Sequence, residues 1–405
     1  MGGLDVCDLA AEYGTPLIVY DEAHLRARCR EAREAWGDGV AYATKAFLCR
    51  AMAALANEEG MWLDVSTGGE LYVALAAGVP AERLVLHGNN KSDAELADAL
   101  AVGVARIVAD SFDELDRLER LAKEARKPPS VLLRITPGVE AHTHEYVRTG
   151  QDDSKFGFGL ASGMADAALQ RARQLEADGL IRLLGVHAHI GSQIFRLDSF
   201  GAEIDALGAW FIAHEFEELC VGGGLGVAYV DGESAPSIAE WASTVRATCA
   251  ARGIGAEVRV TAEPGRAIVA GAAMTLYTVG TIKELPGLRT YLSVDGGMSD
   301  NPRPVLYGSG YEAFLPRCTD APRPMRARIV GKHCESGDVV IADATLPADA
   351  AVGDVVATPV TGAYGHSMAS NYNKVPRPAV LFVAGGRARV VVRRETYEDL
   401  LRYDS

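Results

Sequence analysis

The sequence of 405 residues contains no apolar run approaching the roughly 20 residues that a membrane-spanning helix requires. It is also poor in positive charge. Lys and Arg number 40 against 54 Asp and Glu, a formal net charge of −14. That balance disfavours non-specific binding to nucleic acid or to an anionic membrane, and any anionic ligand must meet a locally basic site. Cysteine is sparse and unpatterned. Cys7, Cys29, Cys49, Cys220, Cys249, Cys318 and Cys334 are odd in number and widely spaced, and no CxxC pair occurs. A disulfide framework and a cysteine zinc site are thereby disfavoured, and a reducing compartment is favoured. The opening MGGLDVCDLAAEYG lacks the basic and apolar regions of a signal peptide, so the expectation is a cytoplasmic protein. There is no low-complexity stretch.

What is present is an ordinary globular composition, 48% hydrophobic and 23% charged. The length suits two or three domains, or one large barrel with a smaller module. Eight apolar runs read as strands: Val40–Thr44, Trp62–Val65, Leu84–His87, Ala105–Ala109, Val131–Thr136, Leu183–His189, Glu217–Val221 and Ala256–Ala262. The first five recur about every twenty to twenty-five residues, the interval of βα units. Ser92 with Glu95, and Ser111 with Glu114, have the spacing of helix-capping boxes. Eight such units predict a (β/α)8 barrel over residues 25–272. Lys45, Asp64, His87, His189, the Gly222–Gly224 run and Glu263 all fall at or just past strand C-termini, which in a barrel converge on one face. Beyond about residue 272 the runs are rich in Val, Ile, Thr and Tyr, and Gly385-Gly386 marks a tight hairpin. This predicts an all-β second domain made of residues 273–405 together with residues 1–24, ending in a short helix over Glu395–Arg402.

Several residues carry chemistry. Lys45 directly follows an apolar strand, where desolvation would free its amine for imine formation, although a lone lysine at a strand end can simply be exposed. His187 and His189 share a strand face. Zinc is disfavoured because no third ligand stands nearby in a metal pattern; His187 reads as a buried structural histidine, and His189 could stack on an aromatic ring. Gly222, Gly223 and Gly224 form a turn whose amides can approach a phosphate, followed by EPGR with Glu263, Gly265 and Arg266. The plain alternative for Glu263 is a salt bridge with Arg266. An amine for an imine, an imidazole for a ring, loops for a phosphate and a carboxylate for a ring nitrogen together suggest pyridoxal 5′-phosphate. In the β domain, Asp295, Arg303, Tyr307, Cys334, Glu335, Tyr364 and Tyr372 lie in glycine-rich loops; Asp295 and Tyr364 also fit simple structural turns.

The motifs YATKAF, HGNNKS, HAHIGSQ, GGGLG, EPGR, DGGMSD, RPVLYG, CESGD and GAYGHSMASNYN occur in one order along nearly the whole chain. In this the sequence resembles the diaminopimelate decarboxylases, fold-type III pyridoxal-phosphate enzymes related to ornithine decarboxylase and alanine racemase. The resemblance implies a barrel plus a β-sandwich domain and a homodimer with shared active sites. It implies decarboxylation of meso-2,6-diaminopimelate to L-lysine, the last step of lysine biosynthesis. By the same resemblance Lys45 is the Schiff-base lysine, His189 the ring-stacking histidine and Glu263 the pyridinium partner. Gly222–Gly224 with Gly265 and Arg266 are the phosphate site. Arg266 and Arg303, with Tyr307, bind substrate, and Glu335 holds its distal ammonium. Cys334 is the proton donor, supplied across the dimer interface, and Tyr372 touches cofactor and substrate. The stretch from Phe195 to Cys220 is short for this family, which points to a trimmed barrel helix before the GGGLG loop. The rival readings are an ornithine- or lysine-type decarboxylase, for which Arg303 lacks a purpose, a relative recruited to another amino acid, and a non-catalytic pyridoxal-phosphate carrier.

Overall fold

A computed structural model describes residues 1–139 and 153–405. The described chain divides into two compact units. One comprises Arg28–Val227 and Ala235–Ala267; the other comprises Met1–Ala27, Ala228–Ser234 and Ile268–Ser405. The chain opens with α1 (Val6–Tyr13) and β1 (Leu17–Asp21), and α2 (Glu22–Trp36) follows.

The first unit then alternates strand and helix. Its elements are β2 (Ala41–Ala43), α3 (Arg50–Glu58), β3 (Trp62–Val65), α4 (Gly68–Ala76), β4 (Leu84–Leu86), α5 (Asp93–Val102), β5 (Arg106–Ala109), α6 (Phe112–Ala122), β6 (Ser130–Thr136), β7 (Phe158–Gly159), α7 (Met164–Ala177), β8 (Arg182–His187), α8 (Leu197–Ala213), β9 (Glu218–Cys220), α9 (Ile238–Ala251) and β10 (Arg259–Thr261). Eight of these strands pair in parallel in the order β10-β9-β8-β6-β5-β4-β3-β2, and the two-residue β7 adds to β6. Two backbone hydrogen bonds close the ring. The amide of Ala41 donates to Ala262 O at 3.0 Å and that of Ala43 to Pro264 O at 3.2 Å. All eight anticipated strands are present: β3 has the expected bounds, β6 and β8 each start one residue earlier, β8 also stops two residues sooner, and the other five are shortened. Helices cover the outside, so the strands are buried on both faces and read as continuous apolar runs. Val85, Val108, Leu132, Leu184 and Cys220 form one cluster inside the strand ring.

Capping explains where several helices start. Ser92 and Glu95 make the reciprocal box at the start of α5, and Ser237 and Glu240 do the same for α9. At α6 the expected box is only half made. Ser111 Oγ accepts from the Glu114 amide at 3.3 Å, but the Glu114 carboxylate accepts from the Asp110 amide at 3.2 Å and from Lys91 Nζ at 2.9 Å. Lys91, of the HGNNKS motif, is buried and also donates to Gly88 O and Val108 O, both at 2.7 Å. The buried ammonium thus takes the carboxylate that a capping box would have used.

The second unit is β-rich. After α10 (Arg266–Val269), which begins in the barrel unit, come β11 (Ala273–Leu285), β12 (Arg289–Val294), α11 (Arg303–Tyr307), β13 (Met325–Val330), β14 (Val339–Leu346), β15 (Val355–Pro359), β16 (Ala379–Ala384), β17 (Arg387–Val392) and α12 (Tyr397–Leu400). The sheet order is β14-β13-β12-β11-β1-β16-β17, with β15 also paired to β11. β1 lies antiparallel to β11 and parallel to β16. Gly385 and Gly386 turn β16 into β17 with φ of 54° and 72°, a two-residue turn that requires left-handed backbone at both positions. Leu9, Leu17, Val19, Leu276, Leu381 and Val383 share its core. No helix among the described residues is long and apolar enough to cross a membrane.

The stretch before the glycine loop, expected to be trimmed relative to the family, forms α8, a helix of 17 residues. It carries an unusual group. Glu203 is fully buried, and neither carboxylate oxygen has a hydrogen-bond partner among the described residues. Burial alone holds this carboxyl well above its ordinary value. The folded state therefore keeps a proton that the unfolded chain releases above the ordinary glutamate value of about 4.3. Stability should fall as pH rises beyond that point, by up to about 1.4 kcal/mol per pH unit for this group. Glu203→Gln cannot ionise and should lose this contribution. Urea unfolding at pH 5 and pH 7.5 checks it: the variant should gain on the parent at the higher pH. An equal difference at both pH values would show that Glu203 is not held neutral.

Candidate functional site

The polar groups of the barrel unit gather where the strands end. Glu263 follows β10, His87 follows β4 and His187 is the last residue of β8. One Glu263 carboxylate oxygen lies 2.8 Å from His87 Nε2 and the other 3.0 Å from His187 Nε2. The two imidazoles meet edge to face with centroids 4.9 Å apart, and Asp64 Oδ1 lies 3.7 Å from His87 Nε2. All four residues are buried. Burial by itself would raise the Glu263 carboxyl, but the charge of His87 and the hydrogen bonds of both imidazoles outweigh it and hold the carboxyl well below its ordinary value. His87 has the converse balance. Burial disfavours its cation, yet Asp64 and Glu263 together raise it. Burial dominates at His187, lowered to about 4, and at Asp64, raised to about 6. The group is a carboxylate held between two imidazoles, one whose cation its neighbours favour and one whose cation burial disfavours.

The plain alternative of a Glu263–Arg266 salt bridge falls here, and so does the premise that no third ligand stands near His187. The partners of the Glu263 carboxylate are histidines, whereas Arg266 donates to Ser192 Oγ at 3.0 Å. His187 is buried, but it is no bystander, and a third and fourth polar group do stand beside it. Its nitrogen, that of His87 and a Glu263 oxygen lie within 4.8 Å of one another. Zinc ligands at roughly 2.0–2.1 Å in a tetrahedron sit about 3.3 Å apart. The 2.8 and 3.0 Å separations here are those of direct hydrogen bonds.

The glycine loop after β9 is built against this group. The Glu263 amide donates to Gly222 O at 2.6 Å, and the Gly223 amide donates to His189 Nδ1 at 3.1 Å. Gly222 has φ +62°, and a Cβ there would lie 2.5 Å from Ala188 O and 2.8 Å from His189 Nδ1. A Cβ on Gly223 would strike the Glu263 carbonyl oxygen. Only glycines let the loop lie this close to the imidazole. Accepting at Nδ1 places the His189 proton on Nε2. Burial, then the charges of Lys45 and Arg134, keep the ring neutral by holding it well below its ordinary value.

Lys45 sits in the single turn Thr44–Ala46 after β2, a turn that packs on Gly265, whose Cβ would lie 3.0 Å from Ala43 O and 3.2 Å from the Ala46 methyl. Lys45 itself is exposed, not buried as the apolar strand before it suggests.

The second unit holds the remaining residues. Arg303 opens α11 and is buried; it donates to Tyr311 Oη at 2.6 Å, and its guanidinium lies 4.1 Å over the Tyr229 ring. Tyr307 ends the same helix and is half-buried. Cys334 and Glu335 are exposed on the loop between β13 and β14, and the Cys334 amide donates to Asn373 Oδ1 at 3.1 Å. Tyr372 is exposed and stacks on His333, with centroids 5.6 Å apart and planes 10° apart. Asp295 is structural in its contacts, accepting from Thr15 Oγ1 at 2.5 Å and from the Thr278 amide at 2.9 Å. Sequence reasoning did not find the partnership of His87 and His187 with Glu263, nor the contacts of His333 with Tyr372 and of Asn373 with the Cys334 amide. The position of His87 at a strand end was the one available signal.

The paired geometry of Glu263 makes a prediction. His187→Leu leaves one buried carboxylate oxygen without its partner, which should cost about 2–3 kcal/mol. The urea midpoint at neutral pH measures it. Wild-type stability would show that the His187 hydrogen bond contributes nothing net.

Comparison with known proteins places this geometry among relatives. Residues 22–270 match the family described as pyridoxal-dependent decarboxylase, pyridoxal binding domain. The chain is 47% identical over 419 residues to a diaminopimelate decarboxylase of Halalkalibacterium halodurans, covering 100% of this chain and 94% of the relative. It is 48% identical over 418 residues to that of Bacillus subtilis, with the same coverage. Among solved structures, diaminopimelate decarboxylase of M. jannaschii in complex with L-lysine superposes with a TM-score of 0.91 at 33% identity, covering 100% of this chain and 95% of that one.

Proposed function

Because the chain belongs to the diaminopimelate decarboxylases of the pyridoxal-dependent decarboxylase family, we propose that it converts meso-2,6-diaminopimelate to L-lysine and carbon dioxide with pyridoxal 5′-phosphate, as the last step of lysine biosynthesis. The observation that carries this reading is the ionised, doubly hydrogen-bonded Glu263 beside a glycine cradle that a single Cβ would fill.

The residues fit the cofactor. Gly222, Gly223 and Gly224, with Gly265 and Arg266, would hold its phosphate; the close approach needed there is available only to glycine. The His189 ring, kept neutral and fixed by the Gly223 amide, would lie against the pyridine. The Lys45 amine would hold the aldehyde carbon. When bound, pyridoxal phosphate supplies an electron sink for the bond that breaks on loss of carbon dioxide. Glu263 serves that sink by keeping a proton at the pyridine nitrogen, a task for a carboxylate that stays ionised when buried.

The remaining roles concern substrate. Arg303 and Arg266 offer guanidiniums to its carboxylates, and Arg pairs with a carboxylate through two parallel hydrogen bonds. Tyr307 and Tyr372 flank it, and Glu335 accepts from its distal ammonium. Cys334 donates the proton that replaces the lost carboxylate, as a general acid. We place the proton donor and the Schiff-base lysine of each site on different subunits of a homodimer. The support is that Cys334 and Lys45 lie in different compact units of the chain and that the motifs match a family that shares its sites.

Carbon dioxide release measured in parallel on meso-diaminopimelate, its LL isomer, L-lysine and L-ornithine tests the substrate; release chiefly from ornithine or lysine would overturn it. Bound-cofactor absorbance without release from any of the four would identify a carrier.

Three variants test the roles. Arg303→Ala should raise KM for diaminopimelate and weaken discrimination against lysine, on the order of a hundredfold in kcat/KM, because a buried charged hydrogen bond is lost. Unchanged kinetics would remove Arg303 from substrate binding. Lys45→Ala should abolish turnover and the absorbance of bound cofactor, and Cys334→Ala should leave little turnover. Unfolding and re-pairing these two variants in equal amounts makes half the dimers mixed, so about a quarter of all sites regain both residues. Carbon dioxide release recovering toward that level supports the shared site. No recovery, with mixed dimers seen by mass, would return Cys334 to its own barrel or remove it from catalysis.

A further inference from the structure

A thiol that must deliver a proton to one carbon needs its direction set to within a few tenths of an ångström. Cys334 is exposed, on a loop, and a loop does not supply that precision unaided. Its surroundings in the β-rich unit supply it. Asp338, buried at the end of the same loop, accepts from the His333 amide and from His333 Nδ1, both at 2.9 Å, and from the Met298 amide at 2.7 Å. The imidazole so fixed lies flat against Tyr372. One residue further along each segment, the Cys334 amide donates to Asn373 Oδ1 at 3.1 Å. Two neighbouring residues of one loop are therefore joined to two neighbouring residues of another. Successive backbone amides, those of residues 333 and 334, are both held by side-chain oxygens.

The second segment is itself in an unusual conformation. Asn373 has φ 53° and ψ 24°, and Lys374 has φ 55°. Asparagine is among the few residues with a side chain that enters the left-handed region readily. Nearby, Val360 and Tyr364 also have positive φ, at 61° and 58°. Left-handed non-glycine backbone persists where the surroundings enforce it, and it gathers at working sites. Here its result is visible: it turns the Asn373 carboxamide onto the Cys334 amide.

We infer that Asn373 is a positioning residue, whose carboxamide holds the Cys334 amide and thereby sets the direction in which the thiol leaves its loop. The inference rests on the reading of Cys334 as proton donor. It makes Asn373 part of the machinery for proton delivery without contact to the reacting atoms, and it separates two properties that asparagine combines: tolerance of left-handed backbone and an acceptor oxygen.

Substitutions in the full-length holoenzyme separate them. Asn373→Gly keeps the backbone conformation at no steric cost and removes the acceptor. Asn373→Asp keeps both. In the glycine variant kcat should fall about five- to tenfold, the loss typical of one hydrogen bond, with KM for diaminopimelate within about twofold and the melting temperature unchanged. Hydrogen exchange of the peptide containing Cys334 should show one additional fast-exchanging amide. The aspartate variant should recover most of kcat and the protection. Cys334→Ala run alongside distinguishes the two ways to fail. Wild-type turnover in Cys334→Ala sinks the proton-donor reading and this inference with it. An inactive Cys334→Ala beside an Asn373→Gly with wild-type kcat and protection overturns the inference alone. Equal losses in the glycine and aspartate variants also overturn it, because they would place the effect outside the acceptor oxygen.

Discussion

A buried carboxylate must be paired or neutralised, and the barrel resolves this at Glu263 by pairing. His87 and His187, at the ends of two strands not adjacent to β10, each take one carboxylate oxygen. Other features follow from that placement. The Glu263 amide holds Gly222 O, the Glu263 carbonyl leaves no room for a side chain at Gly223, and the Gly223 amide holds His189. The backbone of the residue that carries the paired carboxylate thus sets the course of the glycine loop and, through the Gly223 amide, the tautomer of the imidazole beside it. The same barrel neutralises its other isolated carboxyl: Glu203, without a hydrogen-bond partner among the described residues, keeps its proton. The contrast is one of partners, since both groups are buried.

The chemistry of the two units differs in how it is held. In the barrel unit, Asp64, His87, His187 and Glu263 sit at strand ends and are buried, so the sheet fixes them directly, and Lys45 alone among that unit's site residues is exposed. In the β-rich unit, Cys334, Glu335 and Tyr372 are exposed on loops. Their order comes from buried anchors beneath them, chiefly Asp338, which ties the 296–303 loop to the 331–338 loop through the Met298 and His333 amides.

The strands of the barrel were legible because each is an apolar run too short for a helix and punctuated by capping residues. The hairpin at Gly385-Gly386 was legible because its turn needs glycine twice. Other features were not legible for physical reasons. The partners of Glu263 lie 176 and 76 residues away in the chain, so no local pattern announces them. Ser111 and Glu114 have the spacing of a capping box, yet a buried Lys91 outcompetes the backbone amide for the carboxylate. Burial of Lys45 was inferred from the apolar strand before it, whereas one turn beyond that strand the chain is already at the open end of the barrel. The two-residue β7 carries no periodicity to detect.

The position of β1 has a consequence for how the chain is made. This strand, complete by Asp21, lies between β11 and β16, whose pairing residues begin at Ala273 and end at Val383. At roughly 5–20 residues per second, synthesis takes on the order of 20–70 seconds to travel from Asp21 to Val383. Throughout that interval the first strand of the protein has no completed sheet to join. The barrel, whose strands are contiguous in the chain between Ala41 and Thr261, can assemble in the meantime. The sheet of the β-rich unit can close only when the final strands return to the first.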